Sequence, residues 1–347
     1  MTLLHDRAAG AGAIQIEGGE LCLDGGPRNI SNRINMLTGF AIRAASGSVT
    51  LSGTLDNSFG QTIIAVGNVN DTLVISGTQL HGIGARLALT STGVRLASDA
   101  GTGGHNLQIE LNGTTFPGIT SSRLAIGASQ HLASLSINLG AATLEAGGNK
   151  LVVTKTLELG AAQAFLDINE HALIVDYTGS SPLNFIKSAV VTARNGGAWD
   201  GFGITSSAAA THPTHSTTLG LLEGAEYRSI YGPSAVFEGE PIDDTSVLVK
   251  YTYYGDTDFN GIVDFDDYAR IDSGFNNDRT GWFNGDFDYN GIVDFDDYSL
   301  IDQAFNTQTG SLRSMNAVPE PTPGVVIGLA ACLGVRGRRR FARTRLA

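Results

Sequence analysis

The sequence predicts a mostly β protein: a right-handed parallel β-helix (solenoid), then a small helical segment, then a hydrophobic C-terminal stretch. Three observations predict it. Glycine supplies 45 of 347 residues and charged residues only 16%, a balance that favours short strands joined by many turns. Apolar and polar residues alternate with period two in short runs across residues 47–177, which buries one face of each run. Two nearly identical acidic loops, thirty positions apart, are each followed by apolar residues at helical spacing.

The alternating runs lie at 48–53, 72–77, 86–90, 106–112, 135–140, 150–154 and 172–176. Strands of four to six residues, recurring about every 15 to 25 positions, suit coils that stack into a solenoid. A β-sandwich accommodates the same alternation. The solenoid is preferred because hairpin signals such as Asn-Gly between paired runs are scarce. Residues 1–181 are assigned to the solenoid, and the chain begins partway through strand-like sequence. Residues 182–253 are read as a cap and connector, with a short helix or strand at 185–193 and a last strand at 247–253.

The acidic loops occupy 256–267 and 286–297. In the first, Asp256, Asp258, Asn260, Asp264 and Asp267 place side-chain oxygens at ranks 1, 3, 5, 9 and 12, and Ile262 offers its carbonyl at rank 7. In the second, Asp286, Asp288, Asn290, Asp294 and Asp297 repeat the pattern, with Ile292 at rank 7. Calcium is a hard cation that takes six to eight oxygens, and a tight twelve-residue loop delivers them from one segment. Gly261 and Gly291 sit at rank 6, where the turn is sharpest. Two Ca2+ ions are expected. Between Tyr254 and Phe305 there are thirteen Asp, two Arg and no Glu or Lys, a net −11 against −12 for the whole chain. Charges this dense repel unless a cation neutralises them. The segment is therefore predicted to be loose without metal and ordered with it. Tyr268, Ile271 and Phe275, and then Tyr298, Ile301 and Phe305, mark one face of a helix after each loop. Residues 251–254 read as a strand before the first loop, and 280–285 as a turn before the second.

Loop-then-helix, twice, with Asp at rank 12, resembles the type I dockerin module over residues 254–308. The resemblance implies a pseudo-symmetric pair with one calcium per loop and a cohesin-like protein as partner. At ranks 10 and 11, where cellulosomal dockerins often carry a small hydroxyl pair that helps choose the cohesin, this chain has Phe265-Asp266 and Phe295-Asp296. That departure bears on the partner and leaves the metal sites intact. The strand-rich region is similar in style to the passenger repeats of autotransporter-type bacterial surface proteins. Residues 166–181 and 196–207 resemble the segment joining such repeats to a dockerin-like module in some large bacterial envelope proteins.

Residues 309–323 form a linker carrying Pro319, Glu320 and Pro321, followed by twelve apolar residues at 324–335 and six Arg at 336–345. This tripartite pattern resembles the PEP-CTERM sorting signal. It implies an exosortase-type processing enzyme acting near Pro319-Glu320-Pro321 and transient membrane insertion, with the arginines held cytoplasmic. Twelve apolar residues fall short of the roughly twenty that span a bilayer. The resemblance implies a secreted or cell-surface (outer envelope) location. The first seven residues carry no apolar core of signal-peptide length, and the true N-terminus is expected upstream.

Other chemistry finds little support. The nine carboxylates within 47–177 form no pair recurring at coil spacing, and basic partners are few. His212 and His215 read as a polar, Pro-containing loop, and Trp199 as a buried ring in a Gly-rich turn. Ser206 and Ser207 lack a nucleophile elbow, and no phosphate-binding glycine loop occurs. Cys22 and Cys332 offer neither a disulfide framework nor zinc spacing. The acidic balance gives no footprint for nucleic acid. The expectation is a noncatalytic structural protein. The alternative is a calcium-dependent protein-binding module attached to a carbohydrate-binding or carbohydrate-active β-helix, with a polysaccharide as ligand.

Overall fold

The structure, a computed structural model, describes residues 2–3, 10–24, 26–45, 47–68, 70–101, 104–113, 115–116, 119–120, 122–160 and 163–312. The chain is mostly β and winds a β-solenoid of about 7 turns. One parallel sheet includes Phe40–Ala44, Thr62–Gly67, Arg86–Thr90, Gln108–Asn112 and Leu151–Leu159. A second includes Ser48–Leu51, Thr72–Ile75, Gly93–Leu96 and Arg123–Ile126. A third, of four strands, joins Ile14–Ile16, Ile34–Met36, Leu55–Asn57 and Gln79–His81. Parallel pairing excludes the sandwich alternative, whose strands are antiparallel.

Alternation builds the core because the coils stack in register. Paired positions of the parallel ladders lie from 18 residues apart (Arg123 and Ala141) to 38 apart (Phe165 and Gly203), the longest interval enclosing the helix Leu183–Arg194 of the cap. Val49, Leu73, Val94, Leu124, Ala142, Leu166 and Ile204 follow one another down a single internal column. Each is at most 2% exposed. Burying one such Leu or Ile is worth about 1.5–3 kcal/mol relative to exposure.

One feature departs from expectation. Strands exceed six residues where the chain runs through a corner without turning: Gln130–Leu144 serves the first sheet with one half and the second with the other. The segment read as a short helix or strand at 185–193 is a twelve-residue helix, α1 (Leu183–Arg194). Its Ile186, Val190 and Ala193 make a buried i, i+4, i+7 stripe that packs on strand Gly203–Thr205.

The parallel ladder ends at Ala172–Asp176, which pairs antiparallel with Ser246–Tyr253; that strand in turn pairs antiparallel with Thr217–Glu223. The cap also carries α2 (Ser207–Thr211) and α3 (Gly224–Tyr231). A small hairpin of Val236–Phe237 and Glu240–Pro241 completes it. Two further helices, α4 (Phe265–Asn276) and α5 (Phe295–Thr307), follow the acidic loops. A 3-10 turn at Trp282–Asn284 between them packs on Thr217–Glu223. Residues 1–313 form one compact unit.

Candidate metal centre

Each acidic loop closes on the first turn of its helix. Asp264 caps α4 by accepting the Asp266 N–H (2.9 Å), while the Asp267 carboxylate returns to accept the Asp264 N–H (2.9 Å). Asp294, Asp296 and Asp297 repeat this capping box on α5, at 2.9 and 3.0 Å. The rank-12 carboxylates are thereby anchored to rigid helix ends and folded back over the loop starts. At rank 6, Gly261 and Gly291 take φ of +86° and +92°, left-handed values that favour glycine.

This geometry gathers carboxylates from ranks 1, 3 and 12. Oxygens of Asp256, Asp258 and Asp267 all lie within 4.8 Å of one another, and so do those of Asp286, Asp288 and Asp297. Asp256, Asp267, Asp286 and Asp297 are wholly buried. In the first triad Arg270 is the nearby cation, with Nη1 3.6 Å from Asp258 and 3.7 Å from Asp267. Asp256 Oδ2 accepts from the Thr252 hydroxyl and from the Gly261 N–H (3.0 Å). Its Oδ1 is buried and has no hydrogen-bond partner among the described residues. A buried lone pair left unmatched costs about 1–3 kcal/mol.

Electrostatics agree with the geometry. Burial pushes the Asp256 carboxyl well above the ordinary carboxylate range, against the Thr252 hydrogen bond, and neighbouring Asp267 raises it further. Burial pushes Asp267 up to about 6 despite the hydrogen bonds from Thr257 and Asp264. It raises Asp286 as well, and takes Asp297 to about 6. Without a cation, these clusters are poor places for negative charge. The donor set is all oxygen, confined to tight loops, and contains one wholly unsatisfied acceptor. Those properties fit a hard divalent cation such as calcium.

The other expected ligands are placed differently. Asn260 and Asn290 use their side-chain oxygens to accept the Ile262 and Ile292 N–H groups, at 2.9 and 2.8 Å. Asp264 and Asp294 each commit an oxygen to a helix cap, which suits rank 9, a position that often reaches calcium through water. The Ile292 side chain is exposed, as rank 7 requires only a carbonyl.

The two halves interlock reciprocally. Gly255 (φ +97°) precedes the first loop, and a Cβ there would lie 2.4 Å from Ile301 on α5. Gly285 (φ +107°) precedes the second, and a Cβ there would lie 2.6 Å from Ile271 on α4. Tyr268 donates to Asp302 (2.6 Å), and Tyr298 donates to Asp272 (2.5 Å). Of the predicted helix faces only Ile271 and Ile301 are buried completely; Phe275 and Phe305 stay about 40% exposed and pack edge-on against Tyr298 and Tyr268.

Several residues that hold the loops were not singled out by sequence reasoning. Trp282 Nε1 donates to the Asp256 carbonyl (2.8 Å), Tyr231 to the Asp258 carbonyl (3.1 Å), and Tyr289 to the Leu219 carbonyl (2.8 Å). Lys250 is buried, 2.6 Å from Glu238 and donating to the Phe259 carbonyl at 3.2 Å. A lysine directly after the apolar run Val247-Leu248-Val249 was the available signal, because a buried ammonium must find partners. Trp199 is buried, in a left-handed conformation, and His212 lies beside Thr214 within hydrogen-bond distance.

Pro319, Glu320, Pro321, the apolar run and the arginine tail lie outside the described residues. Among the described residues no helix is long and apolar enough to cross a membrane. Comparison of the chain with protein-family models, curated proteins and solved structures gave no match.

Proposed function

We propose that this chain is a noncatalytic structural protein, secreted or held at the cell surface, whose solenoid end is locked by two calcium ions. Asp256, Asp258 and Asp267 would hold one ion, with Asn260, the Ile262 carbonyl and Asp264 completing its shell. Asp286, Asp288 and Asp297 would hold the other, with Asn290, the Ile292 carbonyl and Asp294. Bound calcium supplies positive charge where the chain concentrates negative charge, so binding free energy becomes folding free energy for the dockerin-like pair. The observation that carries this reading is the wholly buried, partnerless Asp256 Oδ1 inside a carboxylate triad. Because Trp282, Tyr231 and Lys250 tie the loops to the cap, ordering the loops also steadies the last coil.

The exosortase-type cleavage near Pro319-Glu320-Pro321, the transient membrane insertion and the surface location rest on the C-terminal sequence pattern. A second reading, a calcium-dependent plug for a cohesin-like protein, draws on Phe265 and Phe295, which are 83% and 76% exposed at equivalent places on the two helices. Calorimetric titration with calcium, paired with circular dichroism, tests the first reading. Two binding equivalents and a gain of thermal stability are expected. Equal stability in calcium and in excess chelator, with no bound metal by mass spectrometry, refutes it. A calcium-dependent pull-down from envelope extract, lost in Phe265→Ala, Phe295→Ala protein, would favour the second.

A further inference from the structure

The geometry points to a groove along the solenoid that binds a neutral glycan chain, running from coil to coil and ending beneath the cap hairpin. Phe59, Ile83, His105 and His131 each stand three positions before Thr62, Arg86, Gln108 and Ser134, which pair with one another across successive coils. His131 pairs with Val153, and Val153 with Ile174. His131, Val153 and Ile174 therefore share one ladder column with a step of about 4.8 Å per coil, Ile174 being 2% exposed under the cap, while Phe59, Ile83 and His105 stand at the turns that lead into the same sheet. The His105 and His131 rings stack at 4.7 Å. Phe59 and Ile83 are 69% and 90% exposed, so the core does not account for them.

Three cavities lie along these residues. The first, about 230 Å3, and the second, about 560 Å3, share Phe59 as a wall. The second is lined also by Ile83 and Asn106; the third, about 370 Å3, is lined by His105, the residue just before Asn106 in the chain, by Val153 and Ile174, and by the hairpin residues Glu240 and Pro241. Each is of the size that ligand clefts occupy, within a factor of about two.

The chemistry of the lining selects the occupant. The strands cross the groove, and their backbone groups are already used in the parallel ladders, so no sheet edge is offered to an extended peptide. Recognition falls to side chains: ring and aliphatic surfaces along the groove, with Asn35, Ser58 and Asn106 beside them. Apolar faces flanked by hydrogen-bonding groups match a pyranose, which presents C–H faces and a rim of hydroxyls. Carboxylates of Asp56, Asp176, Glu240 and Asp243 line the cavities, and Arg33 is already bonded to Asp56. That balance repels uronate and phosphate polymers and leaves neutral glycans. His131 has no nitrogen left for a ligand, since Asp99 (2.7 Å) and Glu240 (3.0 Å) occupy both.

The inference does not depend on the metal reading, so the test keeps calcium present throughout. Hexasaccharides of a β-glucan, a xylan and a mannan, with oligogalacturonate as the anionic comparison, are titrated calorimetrically against the full chain. At least one neutral hexasaccharide is expected to bind, and its trisaccharide to bind more weakly. Phe59→Ala and Ile83→Ser, which touch only exposed side chains, should each weaken binding about tenfold or more, equivalent to about 1.4 kcal/mol. Phe265→Ala, away from the groove, should not. Failure of every neutral hexasaccharide at millimolar concentration overturns the proposal. So does unchanged affinity in both groove variants with native melting curves, or tighter binding of the oligogalacturonate.

Discussion

Replacing Asp256 by Asn separates the cost of an empty cluster from the gain of a filled one. Asp256 is wholly buried, its Oδ1 has no partner, and Asp258 and Asp267 crowd it within 4.8 Å. In chelator, Asp256→Asn removes a group that burial and like charge make unfavourable as an anion, while the amide oxygen can still accept from Thr252 and Gly261. The metal-free protein should therefore gain about 1–2 kcal/mol. In calcium the same change removes a carboxylate ligand, and affinity at that loop should fall at least about a hundredfold, or roughly 2.7 kcal/mol. Calcium at a thousand times its dissociation constant stabilises a protein by about 4 kcal/mol per site, and most of that increment at the first loop would be lost. Trp282 is the reporter, since its Nε1 bonds the Asp256 carbonyl and its ring packs on Phe287 and Tyr289. Urea unfolding followed by tryptophan emission, with and without EDTA, gives both numbers. A variant that is weakened equally in both buffers, or that keeps its calcium isotherm, would refute the reasoning.

Three further outcomes follow from the same geometry. Gly255→Ala, which forces a Cβ against Ile301 from a left-handed backbone, should lower the unfolding free energy by about 1–3 kcal/mol, read as a lower urea midpoint; an unchanged midpoint would contradict the interlock. Leu73→Ala in the internal column should cost about 3–5 kcal/mol in the same assay without altering calcium affinity. His131, held between Asp99 and Glu240 and stacked on His105, has its pKa raised to about 9, first by the Asp99 hydrogen bond. A folded pKa above the ordinary histidine value of about 6.5 means that its contribution is complete below about pH 6.5 and lost as pH rises through about 9. The rise corresponds to at most about 3 kcal/mol, which solvent screening at this half-buried pair reduces to about 1. Wild type should thus lose stability between pH 6.5 and 9.5 relative to His131→Gln, and parallel pH profiles would contradict the assignment.

What could be read from the residues alone was whatever a short segment must specify by itself. Strand alternation was legible because each coil must turn one face to the core. The paired loops were legible because their carboxylates stand at the same ranks in both, so Asp256 to Asp267 and Asp286 to Asp297 declare themselves within twelve positions each, and the structure gathers ranks 1, 3 and 12 of each into a cluster. Their helices were equally plain, although Phe275 and Phe305 looked as buried as Ile271 and Ile301. Periodicity reports which side chains share a face and cannot tell what lies opposite it. Tertiary structure decided the rest. Coil-to-coil spacings vary from 18 to 38 residues, so no sequence period lines up Phe59, Ile83, His105 and His131 along the solenoid. Gly255 meets Ile301, and Gly285 meets Ile271, only because the two halves fold against each other. Contacts of that kind join residues whose separation is set by turns, and turns carry no periodic signal.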